Sequence, residues 1–380
     1  MKILQTITTF GLKSGGTTTA VYDLMVALNE SNCHVDLMTT NHVRKGDRMA
    51  GNGEKWIKIV EDDTVLYPFA YSNNFKEALY KSDYDIYHAN GMWMYCGHIT
   101  AVVARKKNKK FVLTPHGMLY TVPNPDYSLK QKIFLNLFFK KDIMKADCIH
   151  ATCKQEMEII RKFGYKGPIA VIANAVKIPR NFCLPTKEDK YNNTIGYLGR
   201  LHPRKHVENI IYAISLLDKR KQIVLKIIGK GNEEYEQFLK EEAKRLDVNV
   251  EFLGFLEGTD KYELLKKLTT LCVPSDFENF GMIIPEALVC GTPVIASKGT
   301  PWEALIENNC GWWVDNTPDE LSKSILEATS MSTDEIVSMG VRGRNLVESS
   351  FTYDIVSKQM IELYKWLNKE GNKPDFVYEG

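Results

Sequence analysis

The chain has 380 residues, a formal net charge of +2, 44% hydrophobic residues and 25% charged residues. This composition excludes a disordered or collagen-like polymer, and the length exceeds what one ordinary hydrophobic core organises, so two domains are expected. No stretch reaches the roughly 18–20 apolar residues of a membrane-spanning helix, and eight scattered cysteines without a CxxC pair read as the reduced thiols of a cytoplasmic protein.

In chain order, Met1–Phe10 lacks the apolar run and cleavage site of a signal peptide, and Lys2–Thr8 reads as a first β-strand. Gly15–Asn29 reads as a loop and helix, and Val35–Thr39 as a strand. Ile86–His88, Phe111–Thr114, Cys148–Ala151 and Ala170–Ile172 add short apolar strands. Polar composition with Pro185 and a Lys-Glu-Asp-Lys run places a linker around Pro179–Asn193. A second series follows with Thr194–Leu198, Ile223–Ile228, Val250–Leu253, Thr270–Val273 and Pro293–Ala296. The alternation of strand-like and helix-like runs predicts parallel sheets with crossover helices in two doubly wound α/β domains, 1–180 and 181–352. An amphipathic helix begins at Tyr353, and the tail after Gly371 reads as unstructured or loosely docked.

Charge is unevenly divided. Residues 1–180 carry 25 Lys and Arg against 16 Asp and Glu, whereas residues 181–380 carry 24 against 31. The basic first half points to an anionic partner: a membrane surface, a phospholipid-like acceptor or nucleic acid. No RNA- or DNA-reading motif is present, so nucleic acid is not expected. Lys130–Lys145 concentrates five lysines with Ile133, Phe134, Leu137, Phe138, Ile143 and Met144. It reads either as a basic helix lying on an anionic membrane surface or as a core-packed helix with a solvated lysine face.

The most informative string is Pro274–Leu288. Glu278 falls on a loop after a buried strand, and Glu286 in the helix that follows, with Pro285 in its first turn and Gly291 at its end. Backbone N–H groups of Asn279, Phe280, Gly281 and Met282 can receive an anion or a hydroxyl, and carboxylates accept hydroxyl hydrogen bonds. That combination suits a nucleotide sugar, although a solvated loop Glu plus a first-turn Glu favoured by the helix dipole reads equally from the spacing alone. Gly199-Arg200-Leu201-His202-Pro203-Arg204-Lys205-His206 follows the first strand of the second half. Arg200 and Lys205 can hold a diphosphate and stabilise charge growing on it, or can form a basic surface turn. Gly15-Gly16 after the first strand permits close backbone approach to a ligand or makes a plain tight turn. His116, before Gly117, sits at the carboxyl edge of a sheet, and Asn90 and Trp93 lie at the end of another strand of that half.

Taken together, these motifs resemble retaining glycosyltransferase family four, of bacterial surface-polysaccharide type, over nearly the whole chain. The resemblance implies the GT-B fold: two Rossmann-like domains facing a central cleft, with the helix of residues 353–380 crossing back to the first. It also implies transfer of a sugar from a nucleoside-diphosphate donor, UDP-linked ahead of GDP-linked, to a hydroxyl. Arg200 and Lys205 would bind the diphosphate, Glu286 the ribose, Glu278 and residues 279–282 the donor sugar, and His116 the transferring sugar. Gly15 and Gly16 would face the donor phosphates. Asn174 matches the family's strand-ending Asn, although Ala173 and Ala175 replace its usual Pro and Gly neighbours. Gly229, Phe255 and Leu256 would lie near the base, and Asn90 and Trp93 on the acceptor side. The acceptor expected by analogy is a glycan or polyprenyl-diphosphate-linked glycan at the cytoplasmic face of a membrane. Asp83-Tyr84-Asp85 precedes a strand rather than following one, no zinc spacing and no GxSxG elbow occur, and no essential metal or other cofactor is expected. Rival readings are a nucleotide-sugar epimerase or hydrolase, and a non-catalytic nucleotide-sugar-binding partner.

Overall fold

The computed structural model describes all residues except 13–14, 32, 44–45, 52, 67–68, 121–134, 180–181 and 219. Seven strands come first: β1 (Ile3–Thr6), β2 (Val35–Thr40), β3 (Ile57–Val60), β4 (Ile86–Asn90), β5 (Lys110–Thr114), β6 (Cys148–Ala151) and β7 (Ile169–Val171). Six follow: β8 (Thr194–Leu198), β9 (Val224–Ile228), β10 (Asn249–Gly254), β11 (Thr270–Val273), β12 (Val294–Ser297) and β13 (Gly311–Val314). A short β14 (Val377–Tyr378) ends the chain. The chain divides into two compact units, residues 1–175 with 353–380, and residues 176–352.

The first unit is an eight-stranded sheet in the order β14-β7-β6-β5-β4-β1-β2-β3, parallel except for β14. Its strands alternate side chains between two buried faces. Ile3, Val35, Leu37, Ile86, Val112 and Ala170 face the helices Gly16–Glu30 and Tyr353–Leu367, where Val21, Leu24, Leu28, Met360 and Leu363 complete one core. Leu4, Tyr87, Ala89, Phe111, Leu113 and Ile149 face the helices Asn73–Lys81 and Tyr95–Lys106 on the other side. Each fully buried Leu or Ile contributes about 1.5–3 kcal/mol, which makes the register of these strands unforgiving.

The second unit is a six-stranded parallel sheet in the order β10-β9-β8-β11-β12-β13. Ile195, Tyr197, Leu225, Ile227, Cys272 and Ile295 pack under Ile210, Ile214, Leu239, Leu321 and Ile325 from three helices. In each unit the order reverses once, between β1 and β4 and between β8 and β11. Ligands of open α/β sheets bind outside the carboxyl ends of the strands at such reversals.

One expectation is corrected. The tail is ordered: Val377 is buried and pairs antiparallel with Ala170, and Arg161 donates to the Tyr378 carbonyl at 2.9 Å. Val377 and the partly buried Phe376, placed against an open sheet edge, dock a segment whose composition reads as loose. In the segment Lys130–Lys145 the described residues bury most of their apolar side chains, as the core-packed reading of that segment expects. Lys130, Lys132, Ile133 and Phe134 lie outside the described residues, but Ile143 is fully buried and Phe138 packs against Phe69 and His98 with ring centroids 5.3 Å apart. Asp142 in the same segment is buried between His98 and Arg105, each at 2.6 Å. Among the described apolar residues named there, Leu137 alone stands out, at 67% exposure. No helix among the described residues is long and apolar enough to cross a membrane.

Candidate functional site

In the second unit the loops after β8, β9, β10 and β11 meet at one edge of the sheet. The β8 and β9 loops lie almost backbone on backbone: Gly199 N–H donates to Ile228 at 3.0 Å and Leu201 N–H to Lys230 at 3.1 Å. Gly229 N–H donates in turn to Gly254 at 2.7 Å. A Cβ on Gly229 would lie 1.8 Å from the Gly199 carbonyl oxygen, so only glycine fits. This close stacking leaves the Arg200 side chain exposed, with no side-chain hydrogen bond to the described residues.

A single 3₁₀ turn, Pro203–Lys205, then aims Lys205 at the β11 loop. The Lys205 ammonium lies 2.5 Å from Glu278 Oε1, which also accepts from Ser275 Oγ at 2.8 Å. Glu278 is fixed through its backbone, whose N–H donates to Gly299 at 2.9 Å. Eight residues on, Glu286 pairs with Lys261 of the helix Gly258–Lys267 at 2.9 Å. The helix Ile283–Val289 starts after Gly281, which is in the left-handed region at φ 74°. The N–H groups of Phe280, Gly281 and Met282 make no hydrogen bond to the described residues. Phe280 offers a ligand its backbone only. Its ring is buried against Trp302 and Phe351, and the Trp302 indole donates to its carbonyl. Phe255 is 60% exposed and Leu256 half-buried beyond the end of β10.

His206 follows Lys205 in the left-handed region at φ 48°. Its Nε2 is 2.6 Å from Asp276 and its Nδ1 is 3.0 Å from Glu208. Burial opposes charging this imidazole, but the bonds to Asp276 and Glu208 outweigh it and raise the pKa above the ordinary value. Its two carboxylate partners thus favour the charged form of the imidazole that follows Lys205 in the chain.

In the first unit His116 and Gly117 are consecutive left-handed residues at φ 51° and 77°. The buried Glu156 carboxylate holds this turn by accepting the Gly117 N–H at 2.6 Å and the Thr152 N–H at 2.8 Å. His116 is half-buried, and its Nε2 is 3.0 Å from Asn90 Oδ1. Burial, with a smaller contribution from His150, lowers its pKa to about 3, so it is neutral at ordinary pH. The Asn90 amide is buried, accepting from His116 and donating to Gln5 at 2.8 Å. Trp93, at φ 75°, donates from its indole to the Met118 carbonyl at 3.3 Å and packs against Phe139. Gly15 and Gly16 open the helix Gly16–Glu30, and among the described residues no non-neighbouring heavy atom lies within 4 Å of where a Cβ would stand. Asn174 is half-buried three residues beyond β7.

The second unit therefore gathers Arg200, Lys205, Gly229, Phe255, Leu256, Glu278, Asn279, Phe280, Gly281, Met282 and Glu286 at one sheet edge. The first unit holds Gly15, Gly16, Asn90, Trp93, His116 and Asn174. Sequence reasoning assigned no role to Lys261, Ser275, His206, Gln5 and Glu156; Ser275 stands in the Pro274–Leu288 string and His206 ends the basic string that begins at Gly199, whereas the other three stand in no motif. The left-handed conformation at His206 was equally unreadable, since a histidine gives no signal for it. Among the described residues no three of His, Cys, Asp and Glu cluster as a metal site requires.

Comparison with known proteins bears on these arrangements. Residues 185–345 match the family of group 1 glycosyl transferases, and residues 14–180 match glycosyltransferase family 4. A Corynebacterium glutamicum protein, the GDP-mannose-dependent monoacylated alpha-(1-6)-phosphatidylinositol monomannoside mannosyltransferase, is 30% identical over 43% of this chain and 45% of its own length. The O-antigen chain mannosyltransferase B of Escherichia coli is 28% identical over 55% of this chain and 58% of its own. The chain thus spans about half the length of the curated relatives it matches. The crystal structure of Anabaena HepE in complex with UDP and glucose superposes with a TM-score of 0.75 over 96% of this chain and 100% of that one, at 18% identity. Two reversed parallel sheets and two family matches that between them run from residue 14 to residue 345 lead to one conclusion: the chain belongs to the group 1, family 4 glycosyltransferases of the GT-B fold.

Proposed function

We propose that this protein transfers a sugar from a nucleoside-diphosphate sugar to a hydroxyl of a glycan or lipid-linked glycan, with retention of configuration and without an essential metal. The observation that carries the reading is the pairing of Lys205 with Glu278 and of Lys261 with Glu286 at the reversal point of the second sheet, beside the exposed Arg200. Cations for a diphosphate and carboxylates for sugar hydroxyls stand within one side chain of each other there. Arg200 and Lys205 bind the diphosphate and stabilise the charge that grows on it as the glycosidic bond breaks. Glu286 accepts the ribose hydroxyls. Glu278 and the N–H groups of residues 279–282 orient the donor sugar, and His116 contacts it. No protein nucleophile is assigned.

Two donors are tested side by side. The relatives named mannosyltransferases, one of them GDP-mannose-dependent, favour a GDP-sugar. The UDP-sugar expected from the sequence is the second. The same relatives' names, a phosphatidylinositol mannoside and an O-antigen chain, support a lipid-linked or polymeric glycan as acceptor. Peripheral contact with an anionic membrane rests on the exposed Lys140, Lys141 and Lys145 beside Leu137, at about 1 kcal/mol per cation near the surface.

The test is a thermal-shift panel of UDP, GDP and ADP with their sugar conjugates, on the parent protein and Arg200→Ala, followed by turnover with the donor so identified. A ligand at a hundred times its Kd adds about 2.7 kcal/mol to stability. Stabilisation by one nucleotide class, lost in the variant, together with sugar moved to an added acceptor, is the expected result. Free or isomerised sugar with no acceptor product would instead favour hydrolysis or epimerisation. Binding without any turnover would favour a non-catalytic partner. Loss of turnover in EDTA and its return with manganese would overturn the metal-free assignment.

A further inference from the structure

A chain of buried side chains in the first unit starts at a backbone carbonyl and ends at His116. His150 Nε2 is 2.8 Å from the Ile172 carbonyl oxygen, and a carbonyl can only accept, so Nε2 carries the proton. The imidazole is neutral, since burial holds its pKa at about 4. Its bare Nδ1 therefore accepts from Thr114 Oγ1 at 2.9 Å. With its own proton committed, Thr114 accepts from His88 Nε2 at 2.6 Å. Burial also keeps His88 neutral, so its Nδ1 accepts from the Tyr364 hydroxyl at 2.7 Å. Tyr364 oxygen then accepts from Gln5 Nε2 at 3.0 Å, and Gln5 Oε1 accepts from Asn90 Nδ2 at 2.8 Å. That leaves Asn90 Oδ1 facing His116 Nε2 at 3.0 Å as an acceptor. Every proton position, including both amide orientations, is dictated by the one before it.

We propose that Gln5, His88, Asn90, Thr114, His150 and Tyr364 are positioning residues that lock His116 as its Nε2–H tautomer and so present its Nδ1 as a lone-pair acceptor for a sugar hydroxyl. His116 Nδ1 makes no hydrogen bond to the described residues. Its Nε2–H is spent on Asn90, so the ring receives a hydroxyl hydrogen from a ligand and does not donate one. Tyr364 lies on the helix Tyr353–Leu367, which gives that helix a part in setting the state of His116. The ligand assignment rests on the glycosyl-transfer reading, whereas the tautomer does not.

The test is long-range proton–nitrogen NMR of protein labelled with ¹⁵N-histidine at pH 7, with assignment by comparison with His88→Gln, His116→Gln and His150→Gln. The expected result is Nε2–H for His88, His116 and His150 together. His116 found as Nδ1–H or as imidazolium overturns the proposal. Tyr364→Phe cuts the chain between Gln5 and His88, freeing both amides to turn over, and raises the minor His116 tautomer about tenfold, the equivalent of one hydrogen bond. A folded Tyr364→Phe protein with an unchanged His116 tautomer also overturns it. Gln5→Met cuts the chain one link nearer and reads the same way if the tyrosine variant does not fold. Adding GDP-mannose or UDP-glucose, whichever stabilises the fold, shifts Nδ1 of His116 and leaves Nε2 in place. A shift at Nε2 instead overturns the hydroxyl-acceptor role. A protein that turns over no sugar but keeps the Nε2–H tautomer removes the transferase reading and leaves the relay intact.

Discussion

The Lys205 ammonium lies 2.5 Å from Glu278 Oε1, with the lysine side chain 26% and the glutamate side chain 16% exposed. Each charge is already neutralised by the other. In the proposed reading, an arriving diphosphate exchanges one anionic partner of Lys205 for another and leaves Glu278 with hydrogen-bond donors, Ser275 and sugar hydroxyls, in place of its cation. Lys205→Ala is expected to lower kcat/KM by about 10²–10³-fold, the loss of one contact to charge developing in the transition state. Because the two side chains act as a pair, the Lys205→Ala/Glu278→Ala protein should lose less than the product of the two single losses. Strict additivity in that cycle would separate their roles.

The glycine at 229 is a structural demand, not a flexible hinge. Its φ of 143° and the 1.8 Å approach of the Gly199 oxygen to a Cβ leave Gly229→Ala no relaxed position. The β8 and β9 loops would have to part, and with them the placement of Arg200. Destabilisation of about 3 kcal/mol is expected, lowering the melting temperature by several degrees in calorimetry. Gly258→Ala is its control. Gly258 has a positive φ of 60° but open space around it, so it costs only the backbone strain of about 1–2 kcal/mol.

Acid should weaken the first unit before carboxylate titration does. His88, His116 and His150 all have pKa values lowered chiefly by burial, to about 3 for His116 and about 4 for His150. Each is neutral when folded and charges near pH 6.5 when unfolded. Between those values the unfolded chain binds more protons, so stability falls as pH drops from about 6.5 toward 4. For buried His150 alone the loss at pH 5 is about 2 kcal/mol. His206 has the opposite sign. Its raised pKa gives stability that is present below pH 6.5 and lost as pH rises through the folded value. Urea unfolding at pH 7 and pH 5, read from each unit separately through Trp93 and Trp313, is expected to show loss in the first unit. Equal stability at the two pH values would contradict the burial of these imidazoles.

Most of the fold was legible because parallel strands buried on both faces leave continuous apolar runs. The runs at Val35–Thr39, Cys148–Ala151 and Thr194–Leu198 match β2, β6 and β8 within a residue. The missed strands are those at sheet edges. β3 exposes Ile59, β13 is only half-buried, and β14 has two residues. Site motifs with short sequence spacing, such as Glu278 to Glu286, could be read directly. Lys261 could not, because it reaches Glu286 through the fold from a separate helix. Gln5 and Tyr364 were illegible for the same reason, being 359 positions apart and joined by one buried hydrogen bond.

The two glutamates should separate kinetically. Glu286 is held by Lys261 at 2.9 Å in the first turn of its helix, and in the proposed reading it binds ribose hydroxyls that do not change during the reaction. An interaction equal in ground and transition states affects KM and not kcat. Glu286→Gln keeps an acceptor oxygen but loses charge, so donor KM should rise about tenfold with kcat within about twofold, a loss of one charge-assisted hydrogen bond. Glu278→Gln weakens the grip on Lys205 and on the sugar whose bond breaks, so it should lower kcat by about a hundredfold with a smaller change in KM. Lys261→Met leaves Glu286 without its cation and should raise donor KM alone. Initial rates across a range of donor concentrations decide the matter. A fall in kcat for Glu286→Gln as deep as that for Glu278→Gln would place both carboxylates at the reacting centre and remove the ribose assignment.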